Sequence, residues 1–108
     1  MPNRKSLLFS PYELRSVTFR NRIVLSPMQM YLAGDDGIAT EWHFQHLAKY
    51  AVAGVGFVFT EVLPPEPRVR NTHWDLGIWD DSQVPALTRI AKFIEETGAV
   101  PSLSIIHI

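Results

Sequence analysis

The chain has 108 residues, enough for one small domain, and its 46% hydrophobic and 19% charged content excludes a disordered chain. It has no cysteine, which excludes disulfides, thiolate metal sites and a cysteine nucleophile and suits a cytoplasmic setting. The net charge of −1 conceals an asymmetry, because residues 1–25 sum to +4 and residues 26–108 to −5.

The basic residues at the front (Arg4, Lys5, Arg15, Arg20, Arg22) are spread along turns and strands and form no compact run. They suit intramolecular pairing or a solvated surface, and no nucleic-acid partner is expected. The apolar run Leu7-Leu8-Phe9 ends at Ser10-Pro11, too short for a signal peptide core or a membrane span, so no membrane partner is expected either.

In chain order, Tyr12-Glu13-Leu14 and Val17-Thr18-Phe19 flank Arg15-Ser16 and predict a small hairpin over residues 12–19. Ile23-Val24-Leu25 predicts a first buried strand, stopped at Ser26-Pro27 because proline has no N–H to give to a sheet ladder. Residues 34–37 (Gly-Asp-Asp-Gly) read as a loop. Thr40 is the expected N-cap of a helix whose apolar face is Phe44, Leu47, Ala48 and Ala51, ended by Gly54. Residues 57–60 predict a second buried strand ending at Glu61, followed by a long Pro-rich loop from Pro64 to about Ile78. Loops of that length in a compact fold are often functional. Asp80 and Gln83 form a capping-box pair at the start of a second helix with an apolar face of Val84, Leu87, Ile90, Ala91 and Ile94, ended by Gly98. Leu103 to Ile106 predict a third buried strand.

Buried strands alternating with amphipathic helices imply a parallel α/β sheet with right-handed crossovers. Such a sheet must be covered on both faces or closed into a barrel. Two helices on three strands do neither, so the expectation is an incomplete domain over residues 1–108, poorly soluble or oligomeric when isolated. In parallel α/β folds, ligands bind at the C-terminal ends of the strands.

The motifs Leu8-Phe9-Ser10-Pro11, Asn21-Arg22-Ile23-Val24-Leu25-Ser26-Pro27-Met28, Asp36-Gly37, Trp42-His43, Gly54-Val55-Gly56, Glu61, Leu76-Gly77-Ile78-Trp79 and His107 follow one another in an order and spacing that resembles the Old Yellow Enzyme family. The narrower likeness is to the N-terminal third of NADH:flavin oxidoreductases and xenobiotic (ene) reductases. That resemblance implies the N-terminal part of a (β/α)8 TIM barrel: a hairpin across the bottom, then two βα units and a third strand. It implies FMN as cofactor and NAD(P)H as reductant, with hydride passed through FMN to an activated C=C bond of a small electrophilic alkene. A homo-oligomer is implied for the full-length protein.

The resemblance also assigns residues. Ser26, Pro27, Met28 and Gln29 would lie along the flavin, Val62 and Ser104 near its pyrimidine end, and Tyr31 in the substrate pocket. Three of these depart from the family pattern: Gln29 stands where cysteine or threonine is common, Val62 where alanine or glycine is usual, and Ser104 where relatives have glutamine. No catalytic residue is expected within this chain, because the family's oxyanion-holding histidines and phosphate loops come later, and the isolated chain is expected to be inactive. His43 and His46 could share a helix face, but with no third ligand no metal site is expected. Arg22 and Glu61 are expected to be structural, and Trp74 and Trp79 to serve packing and lid. The alternative function is a truncated or degenerate non-catalytic homologue acting as a partner-dependent fold or interaction module. A TIM-barrel enzyme with another cofactor is a third reading.

Overall fold

A computed structural model describes residues 6–106. His107 and the basic residues Arg4 and Lys5 lie outside the described residues. Two short strands, β1 (Tyr12–Leu14) and β2 (Val17–Phe19), pair antiparallel as the expected hairpin. Arg15 takes φ 54° at its turn, the left-handed conformation that a tight two-residue connection demands even of a non-glycine residue.

The main sheet is parallel, in the order β3 (Val24–Leu25), β4 (Phe57–Leu63), β5 (Val100–Ile105). Helix α1 (Glu41–Ala53) connects β3 to β4, and α2 (Val84–Glu96) connects β4 to β5. Leu25, Leu47, Ala51, Val58, Ile90, Ile94 and Ala99 form the core where both helices meet the sheet. A second cluster of Ala33, Leu63 and Leu76 lies beneath the loops.

The capping expectations hold. At α1, the His43 side chain reaches back to accept the Thr40 N–H at 2.9 Å, the role glutamate usually takes in a capping box. At the second helix, Asp80 accepts the Ser82 N–H, and Gln83 accepts those of Trp79 and Asp80. These bonds close a 3-10 turn, Asp81–Gln83, so α2 proper starts at Val84, four residues after Asp80.

Two strand boundaries differ from expectation. β5 begins at Val100, before Leu103, and contains Pro101. The Val100 N–H bonds to the Gly56 carbonyl at 3.0 Å. Alternation then turns the missing N–H of Pro101 away from β4, so the proline removes no bond from the β4–β5 ladder. β4 continues past Glu61 to Leu63. Its pairing with β5 jumps from Phe59↔Ser102 to Val62↔Ser104, three residues against two, which is a β-bulge at Thr60–Glu61.

At the opposite end of the sheet, Arg20 donates to the carbonyls of Ala51, Val55 and Thr97, near the C-termini of both helices. Asn21 donates to the Gly54 carbonyl and accepts the Ile23 N–H. Guanidinium at helix C-termini suits the negative end of the helix dipole. The expected intramolecular use of the basic N-terminal residues is therefore met by Arg20. Arg22 instead lies over the Tyr12 ring, 5.1 Å from its centroid.

Candidate functional site

β3, β4 and β5 run parallel, so the segment Ser26–Tyr31 and residues Val62 and Ser104 all fall at the C-terminal end of the sheet. Val62 and Ser104 are direct register partners. The Ser104 N–H is bonded to the Thr60 hydroxyl at 3.2 Å, and that hydroxyl donates to the Glu61 carbonyl at 2.9 Å. Thr60 thus plugs the ladder where the bulge breaks it. Ser26 and Met28 are exposed, Pro27 and Gln29 half-buried. Tyr31 is 48% exposed and holds φ 58°, a strained conformation for an aromatic residue.

Gln29 has an unusual environment. Its carbonyl accepts the Asn71 amide at 3.2 Å, and its own Nε2, buried, has no partner. A buried donor left unpaired is costly and marks a place where a ligand acceptor would be stabilising.

Behind this segment, Glu61 is buried (1% exposed), and its Oε1 accepts the Met30 N–H at 3.0 Å. The same oxygen lies 3.6 Å from Nε2 of His43, which is 0% exposed. Because Nδ1 of His43 already accepts the Thr40 N–H, the proton of the neutral ring sits on Nε2 and faces Glu61. Burial pushes the Glu61 carboxyl up to about 7, opposed by the Met30 N–H bond and reinforced by the Asp75 charge. Burial holds the His43 imidazole down at about 4, with His46 adding to the effect. The pair is therefore a neutral imidazole beside a carboxyl that titrates near neutrality. His43 Nε2 and Glu61 Oε2 both lack a hydrogen-bond partner. His46 turns elsewhere, its ring set edge-on to Tyr50 at 5.3 Å. Among the described residues no group of three metal-ligating side chains converges.

The long loop 64–79 folds over the same end. Arg70 donates to Asp35, carboxylate and carbonyl alike, and His73 reaches the same carboxylate at 3.2 Å. Asp75, fully buried, accepts the Asn71 N–H and the Thr72 hydroxyl and so closes the loop on itself. Trp79 packs over Gly37 and Gly77, where an added Cβ would stand 2.7 Å and 2.1 Å from its ring, and Arg70 stacks on it. Trp74, by contrast, is 59% exposed, so of the two tryptophans only Trp79 does the expected packing.

The sequence groups Glu61 with Arg22 as structural residues and His43 with His46 on one helix face, and does not join Glu61 to His43. A signal was present, because a carboxylate followed by Val62 and Leu63 interrupts an apolar run that continues as strand.

Comparison with known proteins matches this geometry. The model of the NADH:flavin oxidoreductase / NADH oxidase family matches residues 7–108. The chain belongs to this family. NADPH dehydrogenases of Listeria monocytogenes and Listeria innocua are 44% identical over 103 residues, covering 94% of this chain. The chain spans 30% of the length of those relatives. Among solved structures, a variant of NCR from Zymomonas mobilis superposes with a TM-score of 0.84 at 25% identity, over 96% of this chain and 33% of that one. Old Yellow Enzyme from Pichia sp. AKU4542 superposes with a TM-score of 0.87 at 22% identity, over 94% and 26% respectively. The fold is the N-terminal part of a (β/α)8 barrel, with the hairpin β1–β2 preceding its first strand. Among the described residues no helix is long and apolar enough to cross a membrane.

Proposed function

We propose that this chain forms the N-terminal part of the FMN site of an NAD(P)H-dependent oxidoreductase, residues 1–108 being one portion of its barrel domain. The observation that carries the reading is the unpaired, buried Nε2 of Gln29 on the strand-exit segment Ser26–Tyr31, at the ligand-binding end of a parallel sheet. A donor so placed fits a flavin, whose ring edge is rich in carbonyl and imine acceptors. Ser26, Pro27 and Met28 would bring backbone and small side chains along the ring. Val62 and Ser104, adjacent across β4 and β5, would border its pyrimidine end. Bound FMN would supply hydride transfer from NAD(P)H, and the substrate class that best suits the reading is a small electrophilic alkene beside Tyr31. This chain's own contribution is binding and orientation: the Thr60 plug holds the β4–β5 edge in place, and the loop held by Asp35 and Arg70 limits access of water.

The test is FMN titration of the protein with the rest of its barrel in place, as wild type and as Gln29→Ala, followed by flavin fluorescence and visible absorbance. Stoichiometric binding that weakens about tenfold in the variant, the scale of one lost buried hydrogen bond, supports the reading. Absence of binding favours the non-catalytic homologue, for which the bulk of Val62 and the commitment of the Ser104 N–H to Thr60 already speak.

A further inference from the structure

We propose that Glu61 is a positioning residue, which sets the conformation of Gln29–Tyr31 through the Met30 amide. Its functional meaning rests on the flavin reading above, but the geometry stands apart from it. The β-bulge in β4 makes Thr60 and Glu61 buried neighbours, where a regular strand would bury only one of them. The Glu61 side chain crosses to the segment that leaves β3 and takes the Met30 N–H at 3.0 Å. Met30 lies between the residue with the unpaired amide, Gln29, and the residue held at φ 58°, Tyr31. A left-handed tyrosine persists only when its surroundings over-determine it. The flanking anchors here are the Met30 N–H on Glu61 and the Ala33 N–H on the Trp74 carbonyl at 3.0 Å.

The groups that face the carboxyl come from three elements. α1 presents the Nε2 proton of His43, the segment after β3 presents the Met30 N–H, and the long loop contributes the charge of Asp75. A carboxylate accepts an N–H more strongly than a carboxylic acid does. Loss of the Glu61 proton, which occurs near neutrality, therefore tightens the anchor on Met30. The position of Gln29 and Tyr31 follows the ionisation of a group that itself touches no ligand.

The experiment compares the protein, with the rest of its barrel in place, with Glu61→Leu and Glu61→Gln, with and without FMN. Exchange of the Met30 amide, read by NMR, is expected to quicken about tenfold in E61L, with core amides such as Ile90 and Ile94 unchanged. E61Q keeps a carbonyl acceptor and is expected to stay within about threefold of the wild type. FMN affinity is expected to fall in E61L and to be largely retained in E61Q. Unchanged Met30 exchange in a folded E61L overturns the proposal. Should E61L fail to fold, the wild-type Met30 amide shift is titrated against E61Q: movement with a midpoint near 7 in the wild type alone upholds it, and a flat wild-type curve overturns it. Glu61-dependent exchange without FMN binding sinks the flavin reading and leaves the positioning role standing. FMN binding with exchange indifferent to Glu61 does the reverse.

Discussion

The two ends of the three-stranded sheet solve the same problem with opposite chemistry. At the N-terminal end, Arg20 and Asn21 tie the hairpin to both helices by donating to free carbonyls, which are ready acceptors and favour a positive partner. At the C-terminal end, Glu61 ties a loop to the sheet through the Met30 N–H, with His43 of α1 3.6 Å away, and both ionisation equilibria are displaced. One end is built of contacts that stabilise at any ordinary pH. Each end keeps buried polar atoms without a partner, Arg20 Nε at one and Gln29 Nε2, His43 Nε2 and Glu61 Oε2 at the other, but the second also holds a carboxyl whose charge changes near neutrality.

The sharpest way to break the contrast is Arg20→Met. It removes three hydrogen bonds from a charged donor and should cost at least about 3 kcal/mol in a urea unfolding titration, without altering the environment of Met30. Loss of stability well below that would mean that the hairpin is tied by Phe19 packing on Phe57 instead. Gly77→Ala comes next: the new Cβ would stand 2.1 Å from the Trp79 ring, and the overpacking should cost about 2 kcal/mol by the same titration.

The pH dependence sharpens the other side. Glu61, with its folded pKa raised from 4.5 to about 7, contributes stability that is full below 4.5 and lost as pH rises toward 7. His43, depressed from 6.5 to about 4, contributes stability that is present above 6.5 and lost as pH falls toward 4. Between 4.5 and 6.5 the two slopes oppose and largely cancel. Glu61→Gln should therefore become more stable relative to the wild type as pH rises from 4.5 to 7, by about 2 kcal/mol in parallel urea titrations. A difference that is independent of pH would show that the two groups do not titrate as a buried pair. The smallest effect is expected from Asp35→Ala, which frees the exposed anchor of Arg70 and His73. Trypsin should then cut faster after Arg70 while the melting temperature stays within experimental error.

Much of this architecture is written in local patterns. The helix faces, the Thr40 and Asp80 caps and the hairpin each depend on residues within a few positions of one another, which is why the sequence displays them. The features that it conceals are long-range. Arg20 is 31 residues from Ala51 and 77 from Thr97, and no periodicity links them. Met30 and Glu61 are likewise 31 residues apart, and meet only because β3 and β4 are parallel neighbours. The start of β5 is hidden for a different reason: Pro101 argues against a strand by propensity, and only the alternation that turns its missing N–H away from β4 makes it acceptable. Of the candidate site, the strand-exit segment was legible from its proline stop. The bulge that gives Glu61 its role was not, since an extra residue in one strand is defined only by the strand beside it.

That extra residue also shifts the phase of β4. Before it, the buried side chains are Val58 and Thr60, at even positions, and Val58 joins the core beneath the two helices. After it, they are Glu61 and Leu63, at odd positions, and Leu63 joins the separate cluster beneath the loops. A single strand thus serves two cores in succession, and one inserted position divides the half of the molecule that holds the helices from the half that presents the loops.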